Sequence, residues 1–343
     1  MGFGAMKPST KKVAILNAAG YVGMSLYQCL LKHPYVEIVA VSSRSFAGST
    51  VDQIAPELSG IAEQTFVPEL VPGKMPLDVL FNCSEHGAAA TRLAAWLEAG
   101  FEGQIIDLSA DFRLSDVSNY QSYYDWIHPH PELSNRFSYG LCEITQPNLN
   151  TPLIANPGCF ATGIALACFP IAKLIPDISL KVTALTGASG SGARPKPATH
   201  YPIRDNSVST YKVFEHQHLP EILQVLPGSP GLSFVPASGP WSRGIWGTVQ
   251  FDLPEDVSTD DIEQAFEQAY HKQALVRLRG RRLPVLREVV STPFCDLGWT
   301  IKGRQGVVGF AIDNLLKGAA SQAVQNLNRI NGWPETTGLL SQH

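Results

Sequence analysis

The sequence has no cysteine framework. Its six cysteines (Cys29, Cys83, Cys142, Cys159, Cys168 and Cys295) form no CxxC pair and no close metal-type spacing. In a chain of 343 residues that points to reduced thiols and a cytoplasmic protein, and away from disulfides or structural zinc. Basic excess is also missing. The net charge of −4 argues against a nucleic-acid partner and leaves no basic face for a membrane. No long apolar run occurs either. The most apolar stretch, Phe160 to Ile175, is interrupted by Gly163, Pro170 and Lys173 and is too short to span a bilayer. The first residues lack an apolar signal core, so residues 1–11 read as a disordered extension. No repeat or low-complexity tract is found.

What remains is a 44% hydrophobic chain, long enough for two domains with a large core. Its centre is Asn156-Pro157-Gly158-Cys159, between the apolar run Pro152 to Ala155 and a helix expected over 161–173. Pro157 fixes one backbone angle and Gly158 is expected to permit the next, so the chain reverses sharply. A thiol at a helix N-terminus meets unpaired N–H groups, which favour thiolate. Cys159 is therefore a candidate nucleophile; the other reading is a small buried hydrophobe.

The N-terminal part alternates strands and helices. Lys12 to Leu16 reads as a strand, Asn17 to Gly23 as a small-residue turn, and the following residues as a helix. That geometry brings helix N–H groups to a pyrophosphate, or simply packs a helix closely on a strand. Asn17 stands where such turns place their first glycine, and asparagine tolerates left-handed angles. Strand Val36 to Val41 ends in Ser42-Ser43-Arg44. Hydroxyls and an arginine there suit a 2′-phosphate, hence NADP over NAD; the other reading of Arg44 is a solvated surface cation. Strands at Asp78 to Asn82 and Gln104 to Leu108, with a helix over 86–99 between them, predict a parallel sheet covered on both faces.

Later segments add chemistry. The small-residue loop Thr186 to Pro195 lets backbone approach a ligand closely. His216-Gln217-His218 precedes a Pro-started helix. This pair could ligate a metal, but no matching third and fourth ligands accompany it, and an acid–base partner for a cysteine fits better.

Taken together, the motifs resemble those of the N-acetyl-γ-glutamyl-phosphate reductase family, along nearly the whole chain. The stretches that carry the resemblance are Asp107 to Arg113, Asn156 to Cys159, Ser189 to Gly192, His216 to Ile222 and Asp313 to Ala320. Asn17, Phe160-Ala161, Gln217, Arg194 (one place late) and Ala237 depart from the family pattern.

The resemblance implies an α/β fold. A Rossmann-type parallel-sheet domain would take residues 12–156 and 314–343, and an α/β catalytic and dimerisation domain with a mixed sheet would take 157–313. It implies an NADPH-dependent reduction of an acyl phosphate to a semialdehyde through a thioester on Cys159, with His218 or His216 as acid–base. Arg113, Arg194, Arg243 and Asn156 would contact the small-molecule substrate. Gly20, Tyr21, Gly23, Ser43 and Arg44 would hold the cofactor, with Ser189, Gly190 and Asn314 near its nicotinamide end. A homodimer or homotetramer is implied, and no metal.

Two other readings compete. One is the aminoadipyl-phosphate reductase of lysine synthesis, whose substrate is one methylene longer and rides on an acidic carrier protein. The acidic net charge and the stretch Phe294 to Gly298 weigh against it. The other is a non-catalytic NADPH-binding sensor, against which Cys159 and the histidine pair count.

Overall fold

The computed structural model describes residues 10–145 and 152–340. Two seven-stranded sheets organise them. The first contains β1 (Lys11–Leu16), β2 (Val36–Ser42), β3 (Phe66–Val67), β4 (Val79–Asn82), β5 (Gln104–Asp107), β6 (Ser138–Tyr139) and β7 (Leu153–Ala155). Their order is β3-β2-β1-β4-β5-β7-β6, and every pair is parallel. Such sheets are buried on both faces, and the fully buried Val79 to Asn82 shows it. Lys11 already belongs to β1 and Thr10 leads into it; residues 1–9 of the expected extension lie outside the described residues.

The second sheet contains β8 (Ser179–Thr186), β9 (Ser209–Thr210), β10 (Gly231–Ser238), β11 (Ile245–Asp252), β12 (Val276–Leu278), β13 (Cys295–Lys302) and β14 (Gln305–Ile312). Its order is β12-β13-β14-β11-β8-β10-β9. It is mixed: β8 and β10 run parallel, as do β12 and β13, and the rest are antiparallel. Alternation along β8 puts Leu180, Val182 and Ala184 inward.

Two helices link the layers to the site. Cys159–Leu174 is apolar nearly all round because it is enclosed. It packs on the second sheet and on the amphipathic helix Thr259–Tyr270, whose Ser258–Asp261 capping box is formed. The chain then returns to the first layer. A π-helical turn, Leu316–Ala320, and the helix Ser321–Ile330 bury Ala320, Ala323, Val324 and Leu327 against helix Tyr21–Leu31. π-turns occur often at functional sites. Here the turn passes over Cys159, since a Cβ at Gly318 would lie 2.8 Å from that of Cys159.

Because the first sheet is parallel, the turn after β1 and the turn after β7 lie on one edge. In the observed order β1-β4-β5-β7, β7 sits three places from β1, about 14 Å at the usual strand spacing. That edge, the carboxyl end of the strands, is where open α/β sheets bind ligands.

Candidate active site

β7 ends at Ala155 and the next helix starts at Cys159. Three residues make the turn between them. Gly158 has φ −73° and ψ 153°, angles open to any residue, so the expected conformational need for glycine is absent. The reason is space. A Cβ at this position would lie 2.5 Å from His218 Nε2 and 2.8 Å from Arg113 Nη1. Gly158→Ala should therefore displace one of these groups and lower kcat/KM by about a hundredfold; steady-state kinetics near wild type would refute the close approach.

A buried ion pair holds the turn from both sides. Arg113 Nε donates to Asn156 O at 2.7 Å and Nη2 to Leu108 O at 2.8 Å. Glu221, fully buried, accepts the Gly158 N–H at 2.6 Å and the Tyr139 hydroxyl at 2.8 Å. Arg113 Nη1 lies 3.7 Å from the other Glu221 oxygen. Arg113 was expected to meet substrate; two of its three nitrogens are instead committed to backbone. Glu221 went unrecognised in the sequence because its partner lies 108 positions away, although it sits in the quoted stretch His216 to Ile222.

Asn156 was expected to contact substrate. It is wholly buried, and its side chain donates to Ala319 O at 3.1 Å and accepts from Asn326 Nδ2 at 3.0 Å. It ties the turn to the C-terminal helices. Arg243, also expected at the substrate, lies with its guanidinium 2.6 Å from the buried carboxylate of Asp313 and keeps part of its side chain exposed. Arg194 is exposed, beyond the turn Ala188–Ser191, away from these contacts.

Cys159 is half-buried. Burial pushes its thiol up to about 11, against the pull of Arg113 and of the N–H groups of Phe160 and Cys159. The helix N-terminus acts in the expected direction, but desolvation outweighs it in the ligand-free protein. The two histidines differ. His216 is buried, its Nδ1 accepts the His218 N–H at 3.1 Å, and its ring packs edge-on against Phe160, Tyr211 and Phe234. His218 turns Nε2 toward Gly158, while its Nδ1 has no hydrogen-bond partner among the described residues. Burial, then the charge of Arg113, holds His218 well below the usual imidazole range, and burial pulls His216 down to about 2. Both shifts favour the neutral imidazole.

At the other end of the edge, Asn17 takes the left-handed φ of 55°. Gly23 packs so closely that a Cβ would meet Ala18 O at 2.3 Å, whereas one at Gly20 would meet nothing within 4 Å. The turn is tight against the sheet and open above the helix start, where Tyr21 is exposed and the first turn holds no acidic side chain. These features fit a dinucleotide pyrophosphate. Ser43 is buried and Arg44 stands out at the strand end. The small-residue loop is ordered: Ala188 and Ser189 donate to Trp241 O and Ser242 O, each at 2.8 Å. Asn314 binds Ser189 Oγ at 3.0 Å and accepts the Gly244 N–H at 2.6 Å, and Gly190 lies beside Thr186. Among the described residues no cluster of three His, Cys, Asp or Glu is placed to hold a metal, and no helix is long and apolar enough to cross a membrane.

Comparison with known proteins agrees with this layout. Residues 12–151 match the family described as semialdehyde dehydrogenase, NAD binding domain, and residues 159–314 the semialdehyde dehydrogenase, dimerisation domain. The chain is 36% identical over 339 residues to N-acetyl-gamma-glutamyl-phosphate reductase of Methanocaldococcus jannaschii, covering 96% of this chain and 98% of the relative. It is 38% identical over 344 residues to a putative [LysW]-L-2-aminoadipate 6-phosphate reductase of Thermomicrobium roseum, covering 95% and 97%. In three dimensions it is similar to aspartate semialdehyde dehydrogenase II of Vibrio cholerae, with a TM-score of 0.72 at 16% identity over 94% of this chain and 99% of that one. The aspartate semialdehyde dehydrogenase of Candida albicans solved with NADP gives a TM-score of 0.64 at 16% identity, covering 94% and 99%. The chain belongs to the semialdehyde dehydrogenase family, in the group that holds the N-acetyl-γ-glutamyl-phosphate reductases.

Proposed function

We propose that this protein reduces N-acetyl-γ-glutamyl phosphate to N-acetylglutamate 5-semialdehyde with NADPH, a step of arginine synthesis, through a thioester on Cys159. The observation that carries the reading is the clamped turn: Arg113 and Glu221 hold Asn156 O and Gly158 N–H, with His218 Nε2 packed against the same glycine. A nucleophile fixed this way meets a carbonyl in one orientation.

The thiol starts protonated and His218 starts neutral. His218 takes the proton as sulfur attacks the acyl carbon and phosphate leaves, giving the thioester. The Cys159 N–H, at the helix start, would receive the charge that the carbonyl oxygen gains. NADPH, when bound, supplies the hydride that reduces the thioester carbonyl. His218 returns its proton as the thiohemiacetal collapses, and Cys159 regains its thiol. Gly20, Tyr21 and Gly23 would hold the pyrophosphate, Ser43 and Arg44 the 2′-phosphate, and the Ser189-Gly190 loop, braced by Asn314, the nicotinamide end. The match to a dimerisation domain supports a homodimer or homotetramer.

Of the two histidines, His218 is assigned the proton. His218→Asn should lower kcat/KM by about 10²- to 10⁴-fold, and His216→Asn by no more than about tenfold. The opposite ranking in steady-state assays would reverse the assignment.

The relative from Thermomicrobium roseum supports a second reading, an aminoadipyl phosphate one methylene longer. Phosphate-dependent reduction of NADP with each semialdehyde separates the two. Preference for N-acetylglutamate semialdehyde supports the first, and equal or better use of the longer substrate the second.

A further inference from the structure

The end of β2 and the helix Ala89–Glu98 face each other across a small cavity at the carboxyl edge of the first sheet. Asn17, Ser43, Arg44, Glu69 and Arg92 line it. A wider groove shares Arg44, Glu69 and Arg92 and continues between Pro72, Ala88 and Trp96. Two guanidinium groups thus stand where a polar cavity opens into an apolar groove.

Neither arginine is firmly neutralised. Arg44 reaches Glu69 only at 3.9 Å, with both side chains largely exposed. Arg92 donates to Ser84 Oγ, a neutral group that itself binds Asn82 Oδ1 at 2.6 Å at the end of β4. No carboxylate is ion-paired with Arg92 among the described residues. Burial, and then the neighbouring charge of Arg44, hold Arg92 below the usual arginine range, with Glu69 acting in the opposite direction. Like charges that line one cavity are stabilised by a dianion between them. A single ribose hydroxyl would leave the repulsion in place.

We infer that Arg92 acts with Arg44 as a two-guanidinium seat for the 2′-phosphate of the cofactor. The adenine lies along the groove beside Pro72 and Trp96, and Glu69 releases Arg44 when the phosphate enters. The inference rests on the NADP reading above and adds a specificity-determining residue to it. Bidentate arginine forks match phosphate oxygens. Arg92 comes from a different element than Arg44, so the pair approaches the phosphate from two directions.

The test uses binding alone. The ligand-free protein is titrated calorimetrically with adenosine 2′,5′-bisphosphate and with 5′-AMP, at fixed ionic strength. Wild type should prefer the bisphosphate by at least about a hundredfold, and Arg92→Gln should reduce that ratio by about tenfold while leaving 5′-AMP within about twofold. Arg92→Lys should recover part of the ratio, as a retained charge without the fork. Glu69→Gln should tighten the bisphosphate by about two- to fivefold. Equal loss for both nucleotides in Arg92→Gln, or an unchanged ratio with wild-type discrimination intact, would overturn the role of Arg92 while the NADP reading stood. No discrimination by wild type would overturn both. Arg44→Gln alters an exposed side chain and so folds; a ratio unmoved by it would remove the seat independently of Arg92.

Discussion

Cys159→Ser is expected to lower kcat/KM by at least about 10⁴-fold while binding of adenosine 2′,5′-bisphosphate stays within about twofold. Serine keeps the size and the turn but is a far weaker nucleophile, and no other described thiol stands on the Asn156-Pro157-Gly158 turn. The same geometry sets a pH dependence. Because burial holds the thiol up to about 11, the ligand-free protein carries little thiolate near neutrality. Alkylation of Cys159 by iodoacetamide should therefore rise about tenfold per pH unit from neutrality to about pH 10. A rate that is fast and flat across that range would show a preformed thiolate and remove the need for His218 as base.

Glu221→Ala is expected to destabilise the protein by about 3–5 kcal/mol, the usual result of stranding one member of a buried pair. Arg113 would remain enclosed, with Nε and Nη2 still on Asn156 O and Leu108 O. The Gly158 N–H and the Tyr139 hydroxyl would lose their acceptor. Glu221→Gln separates charge from hydrogen bonding. It keeps an acceptor oxygen for Gly158, so it should retain more of the stability, yet kcat should fall through the loosened turn with KM less affected. Thermal unfolding and steady-state kinetics on both variants give the answer. A Glu221→Ala protein as stable and as active as wild type would show that the clamp does not position the nucleophile.

The parts of this protein that were legible in its sequence are the local ones. The Asn17 turn, the strand–helix alternation and the Cys159 turn each lie within a few residues, so propensity and periodicity read them directly. Asn17 indeed takes the left-handed angle that its place required. What escaped was non-local. Glu221 meets Arg113 across 108 positions, and Arg243 meets Asp313 across 70, distances over which no local pattern marks an ion pair. The amide of Asn156 bonds Asn326 and Ala319, partners more than 160 positions away. Arg92, on one face of an Ala-rich helix, reads as a solvated cation until the fold sets it beside Arg44. Arg277 and Arg279 both bind the buried Asp296, at 2.6 Å each, from a basic stretch with no acidic residue of its own to mark the pairing. The strands β3, β6 and β9, two residues each, are too short for alternation to mark.

The central claim is that the reaction passes through an acyl group on Cys159, and it can be weighed directly. The protein is mixed with N-acetylglutamate semialdehyde and NADP in the absence of phosphate, quenched in acid, and analysed by intact-protein and peptide mass spectrometry. The expected result is one N-acetylglutamyl adduct on the peptide holding Cys159, removed by hydroxylamine and by added phosphate, and missing in Cys159→Ser. Phosphate-dependent turnover with no adduct, or with the adduct on another residue, would contradict it.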